Sequence, residues 1–519
     1  MSKQKILLLC GIWIGIFGLG VIGYRYIVKP RSDKQAAAKQ EEEQKLVLEQ
    51  TSSQTKFDHH LTLNLDSFSG YAVVRSDAFR EELARRKIGL ELVDDGADYN
   101  RRLADLESGK AQMGVFTIDA LIKASDKLGR LPATILFLID ESRGADAMIG
   151  VSRTLPNIDA LNDPNTKFVV VPDSPSETLA RVVMASFNLD RLSPNPWVYA
   201  NSAKDIYSQY QVHQPNDKNI FVLWEPYISK MSQNPDYKII ADSSKFRGYI
   251  VDVMVVQRSF LIKNPKVVRE ATQAYFTAVF ESSLKSKMSE LVLEDSVRLG
   301  EPLKPDEVKG MVGTNGDKPP KIWFKNMREN YSHFGIRSES GLQHIEDIIA
   351  NITKVLLKTK AIKVDPTDSK PNLLYYKNLL TELANEDWHP GASEEGITAE
   401  GHVLTLSEED WTHLETVGKL EVPNLVFARG TSRLTETSRA ALTELAEKLK
   451  TFPHYYVSVR GDADRNGDLE ANKKLALTRA EAAKEFLTQA GIASNRIRVI
   501  AGEPSGETVV SFVVGQLPY

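Results

Sequence analysis

The sequence predicts an α/β protein in three parts: an N-terminal membrane anchor, a large module of alternating strands and helices, and a small C-terminal module. Three observations predict this organisation. An uncharged apolar run occupies residues 6–24. Strand-like and helix-like segments alternate from about residue 57 to 388, which favours mainly parallel sheets. A shorter alternation of the order β-α-β-α-β fills residues 419–519.

The length and composition exclude several classes of protein. A chain of 519 residues is too long for one core, so two or three domains are expected. A net charge of -4 does not indicate nucleic-acid binding. Cys10 is the only cysteine, so no disulfide framework, CxxC zinc site or cysteine nucleophile is available to the rest of the chain. We therefore predict no cofactor and no metal.

The apolar run at 6–24 is long enough to nearly cross a bilayer core of about 30 Å. No small-x-small cleavage site ends it, so an uncleaved anchor over 1–29 is predicted. Residues 30–56 are rich in Ala, Gln, Glu and Lys and are predicted to form a helical or flexible spacer. Basic residues follow the run in larger number than precede it, which alone would favour a cytoplasmic body.

Residues 57–390 are predicted to form the large module. Its predicted strands are 61–66, 89–95, 112–117, 167–173 and 219–226, and its predicted helices include 78–86, 99–110, 267–282 and 342–359. Residues 391–418 are predicted to be a linker, because the segment 389–401 has the Gly/Pro/Ser/Glu character of a domain boundary.

A motif in the large module resembles the periplasmic solute-binding family of the nitrate, sulfonate and thiamine-precursor type. The pattern D-x-S-x-G-x-D is matched by Asp140, Ser142, Gly144 and Asp146, and the segment 223–227, LWEPY, is similar to the family's W-x-P-Y. The resemblance implies two lobes that meet at a cleft, with crossovers near 140–150 and 242–255. It also implies a small, anionic solute and makes an ABC permease a candidate partner.

Polar residues at strand ends are the candidate cleft contacts, since ligands of such sheets bind beyond the carboxyl ends of the strands. The candidates are Ser67, Ser69, Tyr71, Thr117, Ser174, Ser176, Trp224 and Glu225. Helix capping is the simpler explanation for Ser174 and Ser176. Burial in the core is the simpler explanation for Trp224.

The C-terminal module contains a charged turn followed by a predicted helix. The sequence reads Gly461, Asp462, Ala463, Asp464, Gly467, Asn472, Leu475, Ala476, Arg479 and Ala480. This pattern resembles the OmpA-like peptidoglycan-binding family, with Asp462 and Ala476 in place of the usual His and Ser. The resemblance implies that Asp464, Asn472 and Arg479 bind the diaminopimelate of peptidoglycan.

Calcium binding is an alternative for the same turn, because its Asp-x-Asp-x-Asn-Gly order copies the first half of an EF-hand loop. Lys473 occupies the position of the bidentate Glu, and an ammonium there repels calcium.

The wall-binding prediction places the anchor in the inner membrane and the body in the periplasm, although the basic residues that flank the anchor favour a cytoplasmic body. The leading prediction is a non-enzymatic envelope protein; a purely structural tether with a vestigial cleft and a hydrolase are the alternatives.

Overall fold

The computed structural model describes residues 39–40, 47, 51, 56–213, 218–283, 287–313, 319–337, 342–386, 388, 404–502 and 509–518. The anchor predicted at 6–24 and most of the predicted spacer lie outside these residues. Within the described part of the chain, no helix is both long enough and apolar enough to cross a membrane. The chain divides into two compact units, Met1–Asp58 and His59–Tyr519, and every sheet belongs to the second.

The first sheet of the large module has six strands in the order β11-β4-β10-β3-β1-β2. β1 pairs parallel with β2 and β3, whereas β10 runs antiparallel to β3 and β4. Nearly every residue of β3, β4 and β10 is buried, as expected of strands in the middle of a covered sheet. The bounds are β1 His59–Leu65, β2 Ile88–Asp94, β3 Met113–Thr117, β4 Ala133–Ser142, β10 Val251–Gln257 and β11 Ile322–Phe324.

The second sheet has five strands in the order β7-β6-β8-β5-β9. β6 pairs parallel with β7 and β8, and β5 runs antiparallel to β8 and β9. The bounds are β5 Asp146–Val151, β6 Lys167–Val170, β7 Trp197–Tyr199, β8 Asn219–Trp224 and β9 Tyr237–Asp242.

The chain crosses between the two sheets twice, from β4 to β5 and from β9 back to β10. These crossovers confirm the two predicted near 140–150 and 242–255, and the module therefore consists of two lobes. Hydrogen bonds join the two connections: Ser142 Oγ lies 2.8 Å from Ser243 Oγ, and the Gly144 N–H donates to Ser243 Oγ over 2.7 Å. We call the segment 243–250 the second crossover.

Helices pack against both sheets. The strands and helices predicted up to residue 128 are confirmed, and their ends differ from the predicted ones by at most two residues. The helices of the large module are α1 Ala72–Arg75, α2 Asp77–Arg85, α3 Tyr99–Ser108, α4 Ile118–Leu128, α5 Pro175–Ser186, α6 Ala203–Gln211, α7 Tyr227–Met231, α8 Arg258–Lys263, α9 Pro265–Ser283, α10 Lys287–Arg298, α11 Pro305–Val312, α12 Met327–His333, α13 Ile345–Lys358 and α14 Asn378–Asn385.

The C-terminal module is a four-stranded sheet in the order β12-β15-β13-β14, with two long helices packed on it. β13 pairs parallel with β14 and antiparallel with β15. Its elements are α15 Glu408–His413, β12 Glu415–Lys419, α16 Glu436–Lys450, β13 Tyr456–Asp462, α17 Leu469–Gln489, β14 Ile497–Ala501 and β15 Val509–Gln516. The predicted β-α-β-α-β order is confirmed, and the last strand expected at 509–514 is β15.

The strand predicted over 419–427 is wrong in its position. The strand ends at Lys419, and most of the following segment is irregular. Pro423 lacks the N–H that a ladder requires, and Val426 instead donates its N–H to Ser438 Oγ over 2.7 Å. The helix α15 and the strand β12 lie within the residues predicted as linker.

Aromatic packing joins the C-terminal module to the second crossover. The ring of Phe246 lies 5.0 Å from the ring of Phe452 and 5.8 Å from that of Tyr455, measured between centroids. The Arg247 N–H donates to the Thr451 carbonyl over 2.8 Å. The two modules therefore share a buried apolar contact rather than being connected by the chain alone.

Candidate functional site

A cavity of about 230 Å³ lies between the two lobes, where several strands of both sheets end. Four of the eight predicted contacts line it: Ser67, Tyr71, Ser174 and Trp224. Ser67 and Tyr71 follow β1, Ser174 precedes α5, and Trp224 is the last residue of β8. Half of the residues that were predicted from their position at strand ends therefore lie at the cavity.

The other four predicted residues do not line the cavity, and three of them serve the fold. Ser176 is fully buried and donates its hydroxyl to Asp146, while Glu225 pairs with Lys321 and accepts from Ser229. Thr117 is buried beside α4, and its hydroxyl has no hydrogen-bond partner within the described chain. Ser69, half-buried in a short 3-10 turn, is adjacent to the lining residues.

Helix capping and cavity lining are combined in Ser174. Its hydroxyl accepts the Glu177 N–H over 3.2 Å and donates to the Val171 carbonyl over 2.7 Å. Both hydroxyl functions are thus used inside the protein, so Ser174 offers a bound solute little more than its surface.

Three acidic residues of the cavity were missed as contacts: Asp66, Asp146 and Asp252. Asp252 is the second residue of β10 and lies opposite Thr117 at the end of β3, and Asp146 begins β5 opposite Trp224 at the end of β8. Because β10 and β5 run antiparallel to those neighbours, their amino ends lie at the cleft edge. A search confined to the carboxyl ends of strands cannot find them.

Carboxyl groups dominate the electrostatics of this cavity. Asp66 pairs with Arg102 at 3.0 Å, whereas Asp146 and Asp252 have no ion-pair partner among the described residues. None of the described residues that line the cavity is Lys, Arg or His. This lining disfavours the anionic solute expected from the sequence.

Burial shifts the titration of the same acids. Desolvation raises the pKa of Asp146 to about 6 and the pKa of Asp140 to about 7. It also raises the pKa of Asp252 well above its ordinary value, and the nearby Asp140 carboxyl raises it further. Asp140 and Asp252 lie side by side near the crossovers, so the folded protein holds protons there that an unfolded chain releases.

This proton uptake predicts the pH dependence of an Asp140→Asn variant. The pKa of Asp140 is about 7 in the folded protein and has its ordinary value of 3.8 in the unfolded chain. Between these two values the unfolded chain loses its proton first, so the folded state becomes less stable as the pH rises. Asparagine removes this penalty and relieves Asp252 of a like charge. The thermal midpoint of the variant relative to the parent is therefore expected to increase between pH 4 and pH 7.

The matched control is Asp77→Asn, a change at an exposed carboxylate of α2. Its thermal midpoint relative to the parent should stay nearly constant over the same range. An Asp140→Asn difference that is flat, or that declines with rising pH, would contradict the proton uptake.

The predicted wall-binding residues lie on one side of the C-terminal module. The turn before α17 is closed by Asp464, whose Oδ1 accepts the Asn466 N–H over 2.9 Å. The Asn472 side-chain amide donates to the carbonyls of Asn466, over 2.7 Å, and Asp464, over 3.2 Å. Asn472 therefore holds the turn in shape, and Asp464 Oδ2 makes no hydrogen bond within the described residues.

Arg479 lies on the same face of α17 as Asn472, because seven residues make about two helical turns, or roughly 10 Å. Its Nε donates to the Thr431 carbonyl over 3.0 Å, and its guanidinium lies 4.9 Å from the centre of the Phe427 ring. The two terminal nitrogens make no hydrogen bond within the described part of the chain. A fixed guanidinium with two unused nitrogens can bind a carboxylate in bidentate fashion.

A close contact between β13 and α17 positions this face. A Cβ atom on Gly461 would lie 2.3 Å from the Ala476 carbonyl oxygen, so only glycine allows the helix to approach the strand this closely. Ala476, Ala480 and Ala483 are the buried residues that pack there. The small residue at 476, where the resembled family has Ser, is therefore used for packing.

The calcium alternative finds no support in the described chain. Among the described residues, no group of three or more His, Cys, Asp or Glu side chains could hold a metal ion. Lys473 instead pairs with Glu470 at 3.0 Å.

The two modules thus define a two-lobed α/β fold of the binding-protein type joined to a small α/β domain with a charged helix face. Residues 426–509 match the model of the OmpA family, and the chain therefore carries an OmpA domain at its C-terminus.

The curated relatives are similar to this chain over its C-terminal part. The peptidoglycan-associated lipoprotein of Mesorhizobium japonicum (strain LMG 29417 / CECT 9101 / MAFF 303099) is 29% identical over 110 residues, which are 21% of this chain and 62% of the relative. That of Brucella melitensis biotype 1 is 31% identical over 77 residues, 15% of this chain and 46% of the relative. The chain spans less than two thirds of the length of either relative.

Solved structures are similar to the large module. The periplasmic aliphatic sulphonate binding protein SsuA from Escherichia coli has 13% identity and a TM-score of 0.45, covering 62% of this chain and 99% of its own. The periplasmic nitrate-binding protein NrtA from Synechocystis PCC 6803 has 10% identity and a TM-score of 0.45, covering 66% and 92%. The two-lobed description rests on the strand order and crossovers themselves.

Proposed function

We propose that this protein is a non-enzymatic component of the bacterial cell envelope that binds peptidoglycan through its C-terminal domain. The observation that carries the proposal is the face of α17, where Asp464, the turn held by Asn472, and Arg479 lie within a segment that matches the OmpA family. A carboxylate in the turn and a guanidinium on the helix that follows it suit a zwitterion such as diaminopimelate. The names of the curated relatives support the same ligand.

We further propose that the large module captures a small solute in the cavity between its lobes. The fold supplies a cavity at the edges of two sheets, the usual place for a ligand in such proteins. The protein would be held in the inner membrane by residues 6–24, with residues 57–390 and 419–519 in the periplasm, and an ABC permease is a candidate partner. The anionic solute is not part of this proposal, because of the acidic lining.

Retention on purified sacculi tests the wall-binding proposal. Arg479→Ala and Asp464→Ala are each expected to reduce retention of the full chain by about 10- to 100-fold, since a hydrogen bond to a charged group contributes about 1.5–3 kcal/mol. Lys474→Ala is the matched control: it removes one charge from an exposed position on the opposite face of α17.

The control should be retained like the parent. Equal retention of all four proteins would remove the assignment of the site, and loss of retention in the control alone would place the contact on the other face of the helix.

A further inference from the structure

We propose that the cleft of the large module binds a small organic cation, a compound with an ammonium group. This inference rests on the proposed capture of a solute and names its chemical class. It assigns the acidic residues Asp146 and Asp252 as the groups that attract the charge.

The balance of charge in the cavity is the first argument. Asp66, Asp146 and Asp252 line it, and among the described residues only Asp66 has a cationic partner, Arg102. Arg102 is fully buried beneath the cavity and also pairs with Asp95, so its charge is already shared between two carboxylates. An anion entering this cavity would oppose the ionisation of these acids, whereas a cation would favour their ionised form.

The walls of the cavity are the second argument. Tyr71, Tyr99 and Trp224 line it beside the acids. The face of an aromatic ring attracts a cation, most strongly where the site is desolvated. The ring of Tyr99 already does so within the protein, since the Arg102 guanidinium lies 4.8 Å from its centre. Aromatic rings next to carboxylates favour an organic ammonium compound over an inorganic ion, which would seek a shell of oxygens.

A pair of buried acids behind the wall is the third argument. Both carboxyl oxygens of Asp140 are buried, and no N–H or hydroxyl group of the described residues donates to them; the carboxyl of Asp252 is their hydrogen-bonding neighbour. A Cβ on Gly70 would lie 2.4 Å from Asp140 Oδ2, so this acid lies directly behind the wall formed by residues 67–71. Tyr71 donates its hydroxyl to Asp252. A positive charge in the cavity would favour release of the proton that this pair of acids holds.

Two helices begin at the cavity, and their positive ends could in principle attract an anion. α5 begins beside Ser174 and α6 beside Ser202, both of which are lining residues. Each helix carries an acid in its first turn, Glu177 in α5 and Asp205 in α6, which offsets the helix dipole. Each N-cap serine also accepts a helix N–H. The helix ends therefore do not reverse the charge preference set by the aspartates.

Isothermal titration of the full chain with matched probes tests this inference. Choline and putrescine are the ammonium probes, 3,3-dimethylbutan-1-ol is the uncharged isostere of choline, and ethanesulfonate and nitrate are the anions. At least one ammonium probe is expected to bind, and choline, if it binds, at least about 10-fold more tightly than its isostere. Potassium and magnesium chloride serve as inorganic cations.

Asp252→Asn is the diagnostic variant. Asparagine keeps an oxygen that accepts the Tyr71 hydroxyl but removes the acid that a bound cation would ionise. It is expected to weaken ammonium binding at least about 10-fold, while Asp77→Asn, at an exposed carboxylate of α2, leaves it unchanged. Circular dichroism and the thermal midpoint establish that both variants are folded.

The outcomes separate this inference from the proposed solute capture. Binding of an anion or of the neutral isostere in preference to the ammonium probes would overturn the cation assignment and leave solute capture intact. Binding of the inorganic cations alone would contradict the proposal that the ligand is an organic compound. If no probe of any charge binds, both the cation assignment and solute capture fail, and the structural tether becomes the better account of the large module.

Discussion

Replacing Arg102 with methionine is expected to lower the free energy of unfolding of the large module by about 3–5 kcal/mol, the cost of removing one partner from a buried ion pair. Its guanidinium donates to both oxygens of Asp95, over 2.7 and 2.5 Å, and to Asp66 over 3.0 Å, and it also donates to the Val115 carbonyl. Although burial alone would lower its pKa, Asp95 and Asp66 raise it. Methionine fills much of the volume but leaves both carboxylates without their cation.

Arg101→Met is the matched control for this experiment. Arg101 precedes Arg102 on α3, and its largely exposed side chain lies 3.9 Å from the Asp105 carboxylate, near the limit of an ion pair. Such pairs contribute about 0–1 kcal/mol. Urea denaturation of the full chain, followed by circular dichroism, should separate the two variants clearly. Similar losses for both would mean that Arg102 does not organise the interior below the cleft.

Arg496→Met is expected to lower the stability of the C-terminal domain by about 1–3 kcal/mol. The Arg496 guanidinium is buried and donates to the carbonyls of Tyr455, Leu449 and Phe452, which lie at and beyond the end of α16. Burial lowers the pKa of Arg496 to about 10, yet it remains a cation at neutral pH. The carbonyls of Leu449 and Phe452 each keep a backbone N–H donor at 3.3 Å, so the loss falls mainly on the Tyr455 carbonyl, which accepts two N–H groups of Arg496. An unsatisfied buried carbonyl costs about 1–3 kcal/mol.

Arg498→Met provides the comparison for this variant, two residues further along the chain on β14. Arg498 pairs at 3.0 Å with Glu408, whose side chain is 85% exposed, so its loss should cost less than about 1 kcal/mol. Thermal unfolding of both variants measures the difference. Equal midpoints would show that the carbonyls find water or other donors when Arg496 is removed.

The sequence was most informative where a single pattern of residues is enough to predict a strand, a helix or a turn. The alternation of apolar residues located β1 and α3 closely, and the spacing from Asp464 to Arg479 identified the turn and the helix face of the C-terminal domain. It was less informative where a strand meets irregular chain. Lys419 to Phe427 has the composition of a strand, but Pro423 and the hydrogen bond from Val426 to Ser438 interrupt it.

The cleft shows a different limit of sequence analysis. Asp146 and Asp252 reach the cavity because β5 and β10 run antiparallel to their neighbours, and the direction of a strand is not encoded in its own residues. The charge of the site depends on which acids meet there, and the family resemblance that implied an anion gave no sign of these acids. Asn472 was correctly placed beside Asp464, but its amide donors hold the turn, which spacing alone does not reveal.

The packing of Phe246 against Phe452 and Tyr455 has a mechanical consequence. One of the two connections between the lobes is also the surface on which the C-terminal domain rests. A rotation of one lobe that changes the backbone angles of this connection must either carry the C-terminal domain along or separate these rings. A pulling force on that domain is likewise transmitted to the connection between the lobes, so tension at one end of the protein and the opening of its cleft are physically linked.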